Sequence, residues 1–493
     1  VAHRVPDPPG AGPGRVPEFG QGPVKAPRVL VIGLDSMSPR LAFDLLAREL
    51  PVLSGLRRRG LSGPLRSTDP PITIPAWLTM TTGRPPAQLG IYGFRNQAPG
   101  SSEPRLVDAR DIRFPRIWEL LAGRSRGSAV VSVPISWPPT APGPVALTSC
   151  FLAPGGNAPS ASSPALQREL EERFGTYLVD VEGFRSDDKT PVLEQARRIT
   201  AQHFAILRHL IATDRPEFAM IVDIGPDRVH HALLSAVDPT HPRFDSGHPL
   251  ADAVRDYYRL LDRELGLTLE LAGPETLVLV VSDHGVRPLL GAVCVNEWLL
   301  ETGYLVLRSR PAAPAPLHRL DVDWDATTAF AEGGYHARIW LNLAGRQPRG
   351  TVAPERAGSL LGELARGLAA IPGPDGEPMD NRVLSAAELY GERSAGLPPD
   401  LTVYFENLGR RAAGTVGHGR IHLPGNDTGP DDANHDFHGI LVAAGPGIPG
   451  GVTAAGLQIA DVFATCLAAL GLAPPSGTIG RPLIDATTNR KNS

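Results

Sequence analysis

The chain contains several unbroken apolar runs, each followed by a polar or glycine-rich segment. The first run reads RVLVIGLDSM, and later ones read SAVVSVP, FAMIVDIG, TLVLVVSDHG and GILVAAGPG. Uninterrupted runs rich in valine, isoleucine and leucine are typical of strands that are buried on both faces of a parallel sheet. The pattern therefore predicts a central, mostly parallel sheet.

Segments with helical periodicity separate these runs. SPRLAFDLLAREL follows the first run, LEQARRITAQHFAILRHLIA and ADAVRDYYRLLDRELGLTLELA precede two of the later ones, and LQIADVFATCLAALGL lies near the end of the chain. Strands that alternate with helices are typical of α/β proteins. We therefore predict an α/β fold.

The pattern changes between about residues 300 and 430. YLVLRSRPAAPAPLHRLDVDW, ARIWLNLAGRQPRGTV and DLTVYFENLGRR indicate shorter strands joined by proline- and glycine-rich turns. We predict an inserted lobe, or cap, over residues 301–429 and a core domain formed by residues 28–300 and 430–485. Residues 1–27 and 486–493 are predicted to be a disordered Pro/Gly-rich leader and a disordered tail.

Composition and charge indicate which classes of partner the protein does not have. The 493 residues are 42% apolar and 20% charged, with a net charge of −4 and no long run of either sign, which disfavours a nucleic-acid polymer as partner. No apolar stretch has the roughly 18 residues of a membrane span, and the first residues lack a signal-peptide core. These features predict no membrane partner and a cytoplasmic location. Abundant arginine with little lysine indicates a GC-rich bacterial source.

The three cysteines, Cys150, Cys294 and Cys466, are far apart in apolar surroundings, and we expect buried free thiols.

The candidate metal ligands are instead aspartate and histidine residues. Asp35 ends the first apolar run, and Asp283 with His284 ends another. Because the carboxyl ends of parallel strands meet at one edge of a sheet, we expect these side chains to lie together. Carboxylates with imidazoles suit zinc, manganese or iron.

A second group of candidates follows the FAMIVDIG run. Asp227 precedes His231 by four residues and His230 by three, so either histidine would share its face if a helix begins at the GPD turn. His435 lies just before the GILVAAGPG run, with His438 close behind. The residue pattern leaves both choices open.

Thr73 opens the stretch TIPAWLTMTTG. Pro75 is expected at the first or second position of a helix that ends near Gly83. Thr73 would then lie beside free backbone N–H groups and the positive end of the helix dipole, where a phosphoryl group can be held. A metal-bound threonine hydroxyl is a competent nucleophile, whereas an ordinary helix-capping role is the structural alternative.

Together these segments resemble the type I phosphodiesterase/nucleotide pyrophosphatase branch of the alkaline phosphatase superfamily. The resemblance is carried, in the family's order, by VLVIGLDSM, DPPITIPAWLTMTTGRPPAQLGIYGF, GPDRVHHALL, VVSDHGV, VNEWLLETGYL, DTGPDDANHDFHGILVAAGPGI and DVFATCLAALGLAPPSGTIGRPL. It implies a doubly wound α/β/α sandwich and a site with two divalent metal ions. Zinc is the expected metal, and manganese or iron are the alternatives.

The resemblance also implies the role of each site residue. Thr73 corresponds to the nucleophile, and the ligands of the ion beside it correspond to Asp35, Thr73, Asp283 and His284. The ligands of the other ion correspond to Asp227, His231 and His435. The family spacing favours His231 over His230 and His435 over His438. Arg95 and Asn96 are further candidates for contact with a phosphate oxygen.

The implied activity is hydrolysis of a phosphodiester or a nucleotide-type phosphoanhydride through a phospho-threonine intermediate, on a small phosphorylated substrate. Threonine favours this branch over the sulfatases, which need cysteine or serine. A phosphomonoesterase, or a phosphotransferase or mutase acting on a small metabolite, would use the same site and is the alternative. A remote alternative is a binding protein without catalytic activity. The sequence predicts no particular oligomeric state.

Overall fold

The computed structural model describes residues 26–97, 104–156 and 158–484. The predicted tail and residues 1–25 of the predicted leader lie outside the described residues. None of the helices within the described ranges combines the length and apolar character needed to cross a membrane.

A nine-stranded sheet forms the centre of the structure. Its strands are β1 (Val29–Leu34), β2 (Leu61–Arg66), β3 (Ser128–Val131), β4 (Val145–Leu147), β5 (Phe218–Asp223), β6 (Leu277–Val281), β7 (His438–Ala444), β8 (Val452–Thr453) and β9 (Leu457–Gln458). The order is β8-β2-β7-β6-β1-β5-β3-β4, and β9 also pairs with β2. Only β7 runs antiparallel to its neighbours, β2 and β6. The predicted α/β fold with a mostly parallel sheet is confirmed.

Twelve α-helices accompany the strands. They are α1 (Pro51–Arg59), α2 (Thr73–Thr82), α3 (Pro86–Leu89), α4 (Ile117–Ala122), α5 (Pro164–Phe174), α6 (Thr190–Asp214), α7 (Gly225–Leu233), α8 (Ala251–Ala272), α9 (Val295–Glu301), α10 (Pro354–Ala369), α11 (Ala386–Tyr390) and α12 (Ile459–Leu470) within the described residues.

Alternation along β1 places helices on both faces of the sheet. Leu30 and Ile32 contribute to an apolar cluster with α1, α6, α7 and α8, whereas Val29 and Val31 contribute to a cluster with α2, α4 and α12. Side chains of a strand alternate between the two faces of its sheet, so an unbroken apolar run requires cover on both sides. The result is the doubly wound α/β/α sandwich.

A second, antiparallel sheet has the order Ala329–Glu332, Ala337–Leu341, Leu401–Tyr404 and Arg382–Ser385. It belongs to an apolar cluster of its own, to which α10 contributes. These strands fall within residues 301–429, and the boundaries of the inserted lobe stay a prediction. The shorter strands are Arg95–Asn96, Arg105–Leu106, Gly285–Pro288, Ala292–Cys294, Ala315–Pro316, Arg411–Ala413, Thr415–Val416, His422–Leu423 and Ala433–Asp436.

The helical pattern in SPRLAFDLLAREL gives only a short π-helical turn, Leu41–Leu45. The wider turn, closed by the Leu46 N–H on the Leu41 carbonyl at 2.9 Å, lets Leu41, Ala42 and Leu46 all become buried. Tertiary packing thus overrides the helical preference here. Cys150, Cys294 and Cys466 are free and buried, as expected.

Candidate metal centre and active site

The ends of two adjacent central strands position the first group of candidate ligands. Asp35 follows β1, and Asp283 and His284 follow β6, which pairs with β1 in parallel. All three side chains are completely buried. His284 Nε2 lies 3.5 Å from Asp35 Oδ1 and 3.3 Å from Asp283 Oδ2. The structure therefore brings these three predicted residues together.

Each of the two carboxylates has one oxygen occupied and one free. Asp35 Oδ2 accepts a hydrogen bond from Trp77 Nε1 at 2.9 Å, and Asp283 Oδ1 accepts one from the Ser36 N–H at 3.3 Å. Asp35 Oδ1 and Asp283 Oδ2 are buried and have no hydrogen-bond partner in the described part of the chain. Buried oxygens of this kind need a partner, and a divalent cation fits them.

The second group comes from α7 and the strand Ala433–Asp436. Because α7 begins at Gly225, Asp227 and His231 lie on one face of the helix, with His231 Nε2 3.4 Å from Asp227 Oδ1. The ligand atoms of Asp227, His284 and His435 lie within 4.8 Å of one another, as do those of Asp35, Asp283 and His284. His284 thus links the two groups into one continuous centre.

The three histidines of this centre share one orientation. Each uses Nδ1 for a hydrogen bond: His284 to the Gly285 carbonyl (3.0 Å), His435 to the Pro71 carbonyl (2.8 Å) and His231 to Asp431 Oδ1 (2.7 Å). In the neutral imidazole a donating Nδ1 fixes the tautomer and leaves Nε2 as the lone-pair atom, which is the usual arrangement of a metal-binding histidine. The Nε2 atoms of His231 and His435 have no hydrogen-bond partner among the described residues.

The rival histidines occupy other positions. His230 contacts the Ser36 hydroxyl through Nδ1 at 3.3 Å and the Tyr258 hydroxyl through Nε2 at 2.6 Å, so both of its nitrogens are occupied. His438 is exposed at the beginning of β7. The centre therefore contains His231 and His435 rather than their neighbours.

Thr73 is the first residue of α2 and is almost fully buried. Its side chain does not cap the helix, and its Oγ1 lies 3.3 Å from His284 Nε2. The prediction for Pro75 was wrong by one position, because the helix begins at Thr73 and Pro75 is its third residue. Gly83 ends the helix as predicted, in the left-handed conformation with φ 66°.

Burial controls the electrostatics of the centre. It raises the pKa of both Asp35 and Asp283, and the neighbouring carboxylates raise them further. Burial lowers the pKa of His284 to about 4, which keeps this imidazole neutral at physiological pH. For His231 burial also lowers the pKa, but the carboxylates of Asp431 and Asp227 outweigh it and raise the pKa to about 10. Buried carboxylates and imidazoles gathered in this way are a donor set suited to a divalent cation.

Two contributors were not predicted from the sequence. Asp431 holds His231, and its position four residues before His435 in the DDANH segment was an available signal. The ring of Tyr335 stacks on that of His435 with centroids 3.5 Å apart, and His435 stacks on His284 at 3.6 Å. Nothing in the GGYHAR segment marks Tyr335 as a neighbour of the centre.

A cavity of about 770 Å³ opens beside this centre. Ile72, next to Thr73, and Tyr335 both line it, and so does Arg95. Asn96 is instead occupied in its own loop, where its amide donates to the Gly90 carbonyl at 2.6 Å and accepts from the Tyr92 N–H at 3.2 Å. Of the two candidate phosphate contacts, only Arg95 faces the cavity.

Solved structures with a similar fold are distant in sequence. Phosphonoacetate hydrolase from Sinorhizobium meliloti 1021, in complex with phosphonoformate, has a TM-score of 0.56 at 19% identity, over 89% of this chain and 94% of that one. Human ectonucleotide pyrophosphatase/phosphodiesterase 5 has a TM-score of 0.54 at 12% identity, over 92% and 97%. An inactive form of the murine protein in complex with AMP has a TM-score of 0.55 at 12% identity, over 94% and 99%.

No curated protein gives a significant match to the chain. A family model described as type I phosphodiesterase/nucleotide pyrophosphatase matches residues 29–429, which is most of the chain and includes every candidate site residue except His435 and His438. The chain therefore belongs to the type I phosphodiesterase/nucleotide pyrophosphatase family of the alkaline phosphatase superfamily and is a phosphoric ester hydrolase.

Proposed function

We propose that this chain is a metal-dependent phosphohydrolase that cleaves a phosphodiester or a nucleotide-type phosphoanhydride, with Thr73 as the nucleophile. One observation carries the proposal. Five buried ligand-type atoms without hydrogen-bond partners in the described structure belong to one cluster linked by His284, whose Nε2 lies 3.3 Å from Thr73 Oγ1: Asp35 Oδ1, Asp227 Oδ1, His231 Nε2, Asp283 Oδ2 and His435 Nε2.

These residues would hold two divalent ions. Asp35, Thr73, Asp283 and His284 would bind one ion, and Asp227, His231 and His435 the other. The mixed oxygen and nitrogen donors without cysteine favour zinc, with manganese or iron as alternatives. When bound, such ions lower the pKa of a coordinated hydroxyl and neutralise charge on phosphoryl oxygens.

Thr73 carries the covalent step. The Thr73 hydroxyl gives up its proton and its Oγ1 forms a bond to phosphorus while the bond from phosphorus to the leaving oxygen breaks; the leaving oxygen keeps the electron pair and takes up one proton, so the proton count balances. Attack of water on the phospho-threonine then releases the product and restores the hydroxyl. The position of Thr73 at the start of α2 supports this role, because the first helical turn presents backbone N–H groups that favour a phosphoryl anion.

The substrate preference rests on the cavity. A volume of about 770 Å³ beside Thr73 accommodates a bulky organic group on the phosphorus, which a diester or a nucleotide carries and a small monoester does not. A phosphomonoesterase or a phosphotransferase using the same residues would be distinguished by its products.

The test combines metal analysis with hydrolysis of bis-p-nitrophenyl phosphate and p-nitrophenyl phosphate. We expect about two divalent ions per chain, diester turnover in the wild type, and loss of turnover in Thr73→Ala with the metal content largely retained. Thr79→Ala is the matched control, since Thr79 is buried in the same helix and its hydroxyl has no hydrogen-bond partner among the described residues. Near-normal activity of Thr73→Ala would remove Thr73 from the mechanism, and turnover of the monoester alone would favour the alternatives.

A further inference from the structure

A buried arginine, Arg411, and a half-buried one, Arg185, meet at one carboxylate behind the candidate metal centre. Arg185 Nε and Arg411 Nη1 both donate to Asp431 Oδ2, at 2.9 and 2.8 Å. The other oxygen of Asp431 accepts from His231 Nδ1 at 2.7 Å. Two guanidinium groups and one imidazole therefore share a single carboxylate, and both of its oxygens are occupied.

Positive charge exceeds negative charge at this point. The side chain of Arg411 is only 7% exposed and that of Asp431 is 0% exposed, so water has little access to this part of the pair, whereas Arg185 is 23% exposed. Arg411 Nε has no hydrogen-bond partner in the described part of the chain, although a guanidinium carries five N–H donors. A buried cation with unused donors is costly unless an anion completes its surroundings.

The excess charge faces the cavity. Four arginines and two carboxylates line it: Arg95, Arg185, Arg338, Arg411, Glu332 and Asp427. Arg338 is neutralised by Glu332 at 2.6 Å, and the Asp427 carboxylate accepts from the Thr415 hydroxyl at 2.7 Å. Arg185 and Arg411 share the single carboxylate Asp431, so this pair adds excess positive charge to the cavity wall, whereas Arg95 is an exposed single arginine.

The pair also lies close to the candidate metal centre. The guanidinium carbon of Arg411 is 4.6 Å from the centre of the Tyr335 ring, and Tyr335 stacks directly on His435. One aromatic ring therefore separates Arg411 from the metal centre. A substrate with its phosphoryl group at Thr73 can extend along the cavity towards Arg411.

We propose that Arg185 and Arg411 form a subsite for a second anionic group of the substrate, a carboxylate or a phosphate on its organic part. The inference rests on the proposed function, because it assigns the end of the substrate that is remote from Thr73. Guanidinium groups recognise either anion through paired N–H donors. The shared contact with Asp431 fixes both side chains before the substrate arrives, which reduces the cost of ordering them.

The experiment compares kcat/KM for three p-nitrophenyl phosphodiesters whose second group is ethyl, 2-carboxyethyl or 2-phosphonoethyl. We expect the anionic esters to be preferred and Arg411→Gln to reduce that preference roughly tenfold or more. The order of the two anionic esters distinguishes carboxylate from phosphate recognition. Arg338→Gln is the control and keeps the preference. Equal kcat/KM for the three esters would overturn the inference, as would an equal fall for all three in Arg411→Gln, which a purely structural role would give.

Binding separates this inference from the proposed function. Calorimetry on Thr73→Ala with ethyl phosphate and with 2-carboxyethyl and 2-phosphonoethyl phosphate requires no turnover. Tighter binding of an anionic ligand that is lost in the Thr73→Ala/Arg411→Gln double variant supports the subsite even if no diester is hydrolysed. Equal affinity for all three ligands overturns the subsite even if diesters are hydrolysed.

Discussion

His231 donates a hydrogen bond from Nδ1 to Asp431 across 2.7 Å, and both side chains are completely buried. This contact turns Nε2 towards Asp227. We expect Asp431→Asn to weaken metal binding at the site of His231 by roughly 10–100-fold, since loss of a partner that orients a ligand has an effect of this size. Competition with a chelator measures it. Asp432→Asn is the control, because Asp432 accepts from Ser235 instead, and an equal loss in that variant would contradict the role of Asp431.

Replacing the two adjacent histidines should have different effects on metal content. His231→Gln should retain about one of the two proposed ions, because Nε2 of His231 faces Asp227. His230→Gln should retain both, because the nitrogens of His230 bind Ser36 and Tyr258. Elemental analysis of the purified variants measures this difference. Equal loss from both variants would leave no distinction between the two histidines.

His203 should make stability depend on pH away from the active site. Burial lowers its pKa from 6.5 to about 4 in the folded protein, against a smaller opposing effect of its hydrogen bond to the Leu178 carbonyl. Between these values the unfolded chain binds the additional proton, so the free energy of unfolding falls as pH decreases from 6.5 to 4.

When the pH falls from 7 to 4.5, the free energy of unfolding of the wild type should decrease by about 2–3 kcal/mol more than that of His203→Gln. Chemical denaturation at a series of pH values measures this difference, and the titration of other groups, common to both proteins, cancels. The same pH dependence in both proteins would show that His203 is not protonated differently on unfolding.

Gly33→Ala should destabilise the centre of the sheet. A Cβ atom at Gly33 would lie 2.5 Å from the Trp77 ring and 2.9 Å from Val222. Overpacking of this kind costs roughly 1–3 kcal/mol, and it would displace the indole that donates to Asp35. We expect a lower melting temperature together with a lower metal content. Gly358→Ala, in α10 with no atom within 4 Å of the added carbon, should be neutral or stabilising.

For residues that follow buried strands, the sequence was sufficient to predict which side chains lie together. Asp35, Asp283 and His284 follow apolar runs, and the parallel pairing of β1 with β6 brings them to one edge. The spacing of Asp227 and His231 predicted a shared helical face, which α7 provides. In these cases local pattern and topology together determine where the side chain lies.

Other contacts join residues that are far apart in the sequence, so no local pattern predicts them. Arg185, Arg411 and Asp431 meet from three separate segments, and Tyr335 reaches His435 across 100 positions of the chain. The beginning of α2 was misplaced because Pro75 is compatible with several positions in a first turn. Such features follow from packing, which is decided only when the lobe and the core are assembled.

The position of β7 has a consequence for how the protein is made. This strand lies between β2 and β6 in the interior of the sheet, although it is among the last strands of the chain. During synthesis the sheet therefore stays open, and His435 is missing, until most of the chain has emerged from the ribosome. Contacts between such distant segments form slowly. A nascent chain interrupted before residue 433 would lack both the strand that joins β2 to β6 and the candidate ligand His435, so the central sheet and the candidate metal centre depend on the same late segment.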